Sequence, residues 1–210
     1  MVNGIDNIIF DLGGVILDID YQKSTDAFRA LGIPDFEKEF SQAEQSRFFE
    51  RFEKGEASEQ DLFDHINNIS SVPLHSQDII QAWNAMLLRI PLRRLQILQQ
   101  LQLHYNTFLL SNTNSIHEAA FNRMLKEVCG FQSLAVFFDK VYYSHYVGMR
   151  KPDTIIFRKI LDDHQIAADR TLFIDDSPQH IASAASLGLK TLHLLPGMTI
   201  EEDVFRSKNV

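Results

Sequence analysis

The sequence predicts an α/β fold: a doubly wound, mainly parallel sheet core with a small inserted helical subdomain. Three observations predict it. Short apolar runs end on small polar or acidic residues at Asn7-Ile-Ile-Phe-Asp11, Thr107-Phe-Leu-Leu-Ser111 and Thr171-Leu-Phe-Ile-Asp175, as strands buried on both faces do. Helical patterns alternate with the later strands, which argues for parallel βαβ units with right-handed crossovers. Between the first run and the rest lie about 70 residues with helical periodicity and no convincing strand, far more than a plain crossover needs.

Taken in order, the first strand closes on Leu12-Gly13-Gly14. Residues 21–90 follow as the inserted helices: Phe28 pairs with Leu31, Phe48 with Phe52 and Leu62 with Ile66, and the pattern runs on from Ile79 through Leu88. Pro34, Gly55 and Pro73 punctuate them. Phe48, Phe49 and Phe52 are expected to pack inside this insert, with Arg47, Arg51 and Lys54 facing water. Leucines and isoleucine at helical spacing predict a helix over 92–103, with Pro91 near its start. Further helices are expected over 114–128, 154–163 and 177–187, the last ending at Gly188. A fourth and a fifth strand are expected within 137–143 and at 191–195, while 199–210 is too short and mixed to assign. The expected division is therefore a catalytic core of residues 1–20 and 91–210, with residues 21–90 inserted after the first strand.

Composition narrows the function classes. Of 210 residues, 45% are hydrophobic and 23% charged, an ordinary soluble mixture. Acidic side chains outnumber basic ones by 28 to 20, for a net charge of -8, so neither nucleic acid nor a membrane surface is an expected partner. An anionic substrate must then be held by local basic groups, dipoles or a metal. The single cysteine, Cys129, cannot form an internal disulfide and is expected to be a small buried apolar residue. Asp6, Asp11, Asp18 and Asp20 interrupt the N-terminal apolar pattern, and no segment is long and uncharged enough to cross a bilayer. The expected setting is a reducing cytoplasm.

In open parallel sheets, ligands bind beyond the carboxyl ends of the strands. Asp11, Ser111 and the pair Asp175-Asp176 all fall at such ends. Each alone is more often a cap or turn residue. Together they place several carboxylates at one sheet edge, where they would raise one another's pKa. A hard divalent cation relieves this, and Mg²⁺ favours one or two carboxylates with water and phosphate. Lys151, in the loop Gly148-Met-Arg-Lys-Pro152, is the candidate phosphate-binding cation, although a lone loop lysine is usually just solvated.

Read in order, these residues resemble the four motifs of the haloacid dehalogenase-like hydrolase superfamily: Phe10-Asp-Leu-Gly-Gly-Val15, Phe108-Leu-Leu-Ser-Asn112, Lys151 in Gly-Met-Arg-Lys-Pro, and Phe173-Ile-Asp-Asp-Ser177. The insert looks like the small helical cap of one subfamily. Asp11 to Asp20, Glu50 to Gly55, Leu110 to Asn114 and Gly148 to Pro152 look like its sugar-phosphate phosphatases, the α-D-glucose-1-phosphate phosphatases among them. The resemblance implies a Rossmann-like core and a Mg²⁺-dependent phosphatase acting on a small phosphorylated metabolite, as a monomer or homodimer. It makes Asp11 the nucleophile that forms an aspartyl-phosphate. Asp11, the Gly13 carbonyl and Asp176 would hold the metal, with Asp175 reaching it directly or through water. Ser111 and the Asn112 backbone N–H would bind phosphoryl oxygens, and Lys151 would neutralise Asp11 and the transferring group.

Gly13 departs from the pattern of most such phosphatases, which carry a second aspartate there as general acid and base, typically worth about 10² to 10⁴ in rate. Asp18, Asp20, His180 or a cap residue such as Glu50 could supply the proton; alternatively, an anomeric sugar phosphate could leave without it, or the protein could be a weak or inactive member. A glycine here also occurs in the sugar-phosphate phosphatases, which favours the first two. The 2-haloacid dehalogenases lack that aspartate too, but they need no metal and lack the acidic pair. A phosphomutase usually needs the missing acid. A phosphate-binding regulatory protein of the same fold is the non-enzymatic alternative.

Overall fold

Ile8, Ile9 and Phe10 are fully buried and form β1 (Asn7–Phe10), the middle strand of a five-stranded parallel sheet. The structure is a computed structural model and describes residues 4–40 and 46–205. On one side of β1 lie β4 (Asn106–Ser111) and β5 (Lys140–Tyr143); on the other lie β6 (Thr171–Asp175) and β7 (Lys190–His193). Alternate residues of these strands serve opposite faces. Ile8, Phe10, Leu109 and Ile174 join one apolar cluster, which includes Leu95 and Leu98 of α5 (Leu92–Leu101) and Phe121 and Leu125 of α6 (Ser115–Cys129). Ile9, Phe108, Leu110 and Phe173 join the other, beneath α8 (Thr154–His164) and α9 (Pro178–Ser186). Helices thus cover both faces, and the Rossmann-like α/β core expected from the sequence is present.

Between β1 and β4 come α1 (Tyr21–Ala30), α2 (Arg47–Glu53), α3 (Glu59–Ile69) and α4 (Ser76–Asn84). Their interior is aromatic: Phe28 stacks on Phe36 at 4.0 Å and Phe49 on Trp83 at 5.0 Å, arrangements that add to the burial of the rings. Phe49 and Phe52 are buried, with Phe48 packed beside them. The same cluster continues into the sheet face, and the Trp83 indole donates to Asn114 Oδ1, the N-cap of α6.

One element differs from expectation. The helical pattern read through Leu88 stops at Asn84, and β3 (Leu87–Arg89) pairs antiparallel with β2 (Asp18–Ile19). These two short strands are the neck through which the chain enters and leaves the helices. Three residues are too few to reveal a period of two, so the leucines extended the helical pattern equally well. The unassigned C-terminal stretch forms a helical turn over Ile200–Val204, capped by Thr199; residues 206–210 lie outside the described residues. Cys129 is half-buried rather than fully enclosed, its thiol donating to the Leu125 carbonyl. No helix of the described residues is long and apolar enough to cross a membrane.

Candidate active site

The register pairs Phe10 with both Leu109 and Ile174. Asp11, Ser111 and Asp175 therefore emerge at one edge of the sheet, and the Asp11 amide extends the ladder by donating to the Ile174 carbonyl. Lys151 reaches this edge from the loop between α7 (Ser144–Val147) and α8. The Asn112 side chain fixes that loop: its amide donates to the Lys151 carbonyl and its oxygen accepts from the Lys151 N–H, at 2.8 and 2.9 Å. Sequence reasoning had assigned Asn112 a role only through its backbone.

Lys151 is fully buried, and its ammonium lies 2.7 Å from both Asp11 Oδ1 and Asp175 Oδ2. Burial works against its charge, yet the two carboxylates hold its pKa above the ordinary lysine value. Asp175, despite its own burial, is held down at about 2 by Lys151 and by His180, whose Nδ1 lies 3.0 Å from both its oxygens. Asp11 is left over. Burial, with help from Asp175 and Asp176, pushes it up to about 8 against the pull of Lys151. One ammonium cannot compensate three neighbouring carboxylates.

The donor set therefore fits a hard cation. Oxygens of Asp11, Asp175 and Asp176 all lie within 4.8 Å of one another. Gly14 stands directly beside them with φ +71°, where a Cβ would come within 2.3 Å of Asp176 Oδ2; only glycine lets the backbone approach so closely. Gly13 lines the same cavity. A Cβ at Gly13 would meet Ile19 Cδ1 at 2.9 Å, so an apolar side chain occupies the room that an acidic one would need.

The cavity measures about 80 Å³ and also exposes Ser111, whose hydroxyl makes a long 3.4 Å contact with the Asn112 carbonyl. Of the proposed proton sources, Asp18 is tied to Arg89 and Arg94, and Asp20 caps α1. Glu50 pairs with Arg150. His180 alone among them lines the cavity, and burial followed by Lys151 lowers its pKa. Sequence reasoning missed Tyr21, Glu53, His117 and Arg150, which complete the wall. Arg150 sits within the Gly-Met-Arg-Lys-Pro segment and Glu53 within the segment from Glu50 to Gly55, yet nothing local shows that they meet. Arg150 Nη2 and Nε each lie 2.9 Å from Glu53 Oε2, joining the core loop to α2.

Known proteins resemble this chain over most of its length. The family model for haloacid dehalogenase-like hydrolases matches residues 5–188. The chain belongs to the haloacid dehalogenase-like hydrolase family. Within that family it is 31% identical over 195 residues to a D-ribitol-5-phosphate phosphatase from Bacteroides thetaiotaomicron, covering 89% of this chain and 90% of the relative. A crystal structure of a family enzyme from the same organism, an aspartate-to-alanine mutant in complex with magnesium and inorganic phosphate, superposes with a TM-score of 0.87. It is 30% identical and the match covers 92% of this chain and 96% of that one. A HAD-like family hydrolase from Porphyromonas gingivalis gives a TM-score of 0.83 at 31% identity, with 92% and 93% covered. The chain is thus a hydrolase of this family and shares its α/β core.

Proposed function

We propose that this hydrolase is a Mg²⁺-dependent phosphomonoesterase acting on a small phosphorylated metabolite, with sugar and polyol phosphates favoured. The observation that carries it is the placement of the Asp11 carboxylate, at the end of the central strand, against Lys151 and the pair Asp175-Asp176. The 31%-identical D-ribitol-5-phosphate phosphatase supports the same substrate class.

Asp11 is the nucleophile. Its carboxylate attacks phosphorus, the leaving alkoxide departs and takes up a proton, and water hydrolyses the resulting aspartyl-phosphate to regenerate the carboxylate. Lys151 holds Asp11 in place and neutralises negative charge as the phosphoryl group transfers. Ser111 and the Asn112 backbone N–H bind phosphoryl oxygens. Asp11, the Gly13 carbonyl, Asp175 and Asp176 hold Mg²⁺, which supplies electrostatic relief for an anion attacking an anion. The helices α1–α4 act as a cap that encloses the leaving group, so that residues 21–90 form a unit distinct in role from the core.

Hydrolysis of sugar and polyol phosphates, with and without Mg²⁺ and EDTA, tests this reading. Activity that needs Mg²⁺ and falls at least 10³-fold in Asp11→Asn is expected. Activity surviving both EDTA and Asp11→Asn overturns the reading, and halide release from a 2-haloacid without metal points to dehalogenation instead.

A further inference from the structure

Tyr21, the first residue of α1, lines the cavity on the side contributed by the inserted helices. Its ring packs on Phe40 at 5.7 Å, which fixes the body of the side chain. No described residue hydrogen-bonds its hydroxyl. The side chain is half-buried, and a phenol without a protein partner is available to a ligand in the cavity. Burial, followed by the charges of Glu53, Asp176, Asp11 and Asp175, pushes its pKa well up. The phenol therefore stays protonated and can donate.

Glu53 stands in the same wall, buried and paired with Arg150. A carboxylate has about four acceptor positions, so one that is already paired can also accept from a hydroxyl. Ile19, Met86 and Phe121 add apolar surface to the same cavity. An apolar wall that carries a donor and an acceptor is how a site fixes the orientation of a polar ligand. The phosphate grip of Ser111, Asn112 and Lys151 belongs to the core, and Tyr21 and Glu53 belong to the insertion. They therefore face the part of the substrate that departs.

We infer that Tyr21 and Glu53 recognise the hydroxyl groups of the leaving alcohol and make the site selective for polyhydroxylated phosphate esters over simple alkyl ones. This inference rests on the phosphatase reading above. A site built to hydrogen-bond a substrate hydroxyl discriminates against the analogue that lacks it, because its own polar groups are then left unpaired. A simple alkyl phosphate has an alkoxide leaving group much like that of a polyol phosphate. Comparing the two separates recognition of hydroxyls from delivery of a proton.

The test measures kcat/KM of wild type and Tyr21→Phe, with Mg²⁺, on a pentitol phosphate and on propyl phosphate. The wild type should favour the pentitol phosphate. In Tyr21→Phe the ratio of the two kcat/KM values should fall about tenfold, the effect of one hydrogen bond. Glu53→Gln, which keeps the shape but replaces one acceptor oxygen with a donor and removes the charge, should also lower the ratio. A ratio unchanged in Tyr21→Phe overturns the inference, whether both rates fall together, as loss of a proton donor or of folded enzyme would produce, or neither does. A wild-type enzyme inactive on both esters overturns the phosphatase reading and the inference with it, whereas an unchanged ratio in an active enzyme overturns the inference alone.

Discussion

The ammonium nitrogen of Lys151 lies 2.7 Å from a carboxylate oxygen of Asp11, and no part of the lysine side chain is exposed. The same nitrogen is 2.7 Å from Asp175, so one cation holds two buried carboxyl groups together. Removing one partner from a buried ion pair typically costs about 3 to 5 kcal/mol, since the other charge is left uncompensated. Lys151→Met should lose stability of that order in urea denaturation and at least 10²-fold in kcat. Added Mg²⁺ should restore part of the stability, because a dication offsets the same carboxylates. A variant as stable as wild type without metal would contradict this account.

Gly14 is held at φ +71° against Asp176, where a methyl group would lie 2.3 Å from the carboxylate oxygen. Gly14→Ala must push Asp176 aside. Displacing a group that orients metal ligands commonly costs about 10- to 100-fold in metal affinity. Calorimetric titration with Mg²⁺ should show that loss. An unchanged Kd would mean that Asp176 is not a ligand.

Gly55, just past α2, makes a comparable contact with α7: a Cβ would lie 2.2 Å from the His145 carbonyl oxygen, and φ is +70°. Backbone cannot yield as a side-chain tip can, and the left-handed conformation adds about 1 to 2 kcal/mol for a non-glycine residue. Gly55→Ala should lower Tm by roughly 5 °C in a chain of this size. It should also reduce phosphatase activity by loosening the Glu53–Arg150 contact. Thermal melting and steady-state rates check the two effects separately.

His117 is buried, with Nε2 3.1 Å from the Trp83 carbonyl and Nδ1 3.3 Å from the Asn114 amide. Burial lowers its pKa from 6.5 to about 4. The neutral ring is therefore part of the folded state, and the unfolded chain binds a proton first as pH falls. This contribution is complete above about pH 6.5 and is lost progressively between there and pH 4, amounting to about 3 kcal/mol at the lower end. Urea denaturation of wild type and His117→Gln between pH 7.5 and 4.5 should show a steeper decline for the wild type. Parallel curves would place the titration elsewhere.

The strands were legible because a parallel sheet buried on both faces needs continuous apolar runs, and Ile8 to Phe10, Phe108 to Leu110 and Leu172 to Ile174 supply them. Asp11, Ser111 and Asp175 were legible because they end those runs, and the register brings them together. β2 and β3 were not, being two and three residues long. The outer wall of the cavity was equally hidden. Tyr21 reads as an ordinary helix-starting residue, and Glu53 and Arg150 as surface charges; only the packing of α2 on the loop before α8 makes them neighbours. The role of the Asn112 side chain was hidden for a similar reason, since its partner is the backbone of a residue far along the chain.

The central position of β1 also sets a timetable. Asn7 is bonded to Thr171, a residue 164 positions later, and at translation rates of about 5 to 20 residues per second that neighbour is made roughly 8 to 30 s afterwards. Until then the apolar strand has one edge unpaired, and the acidic pair Asp175-Asp176 is not on hand for Asp11. The nascent chain therefore carries Asp11, Ser111 and Lys151 before the acidic pair that completes their cluster, which assembles only when the sheet closes around β1. A chain cut short before residue 171 would present a bare hydrophobic edge to the cell's quality control.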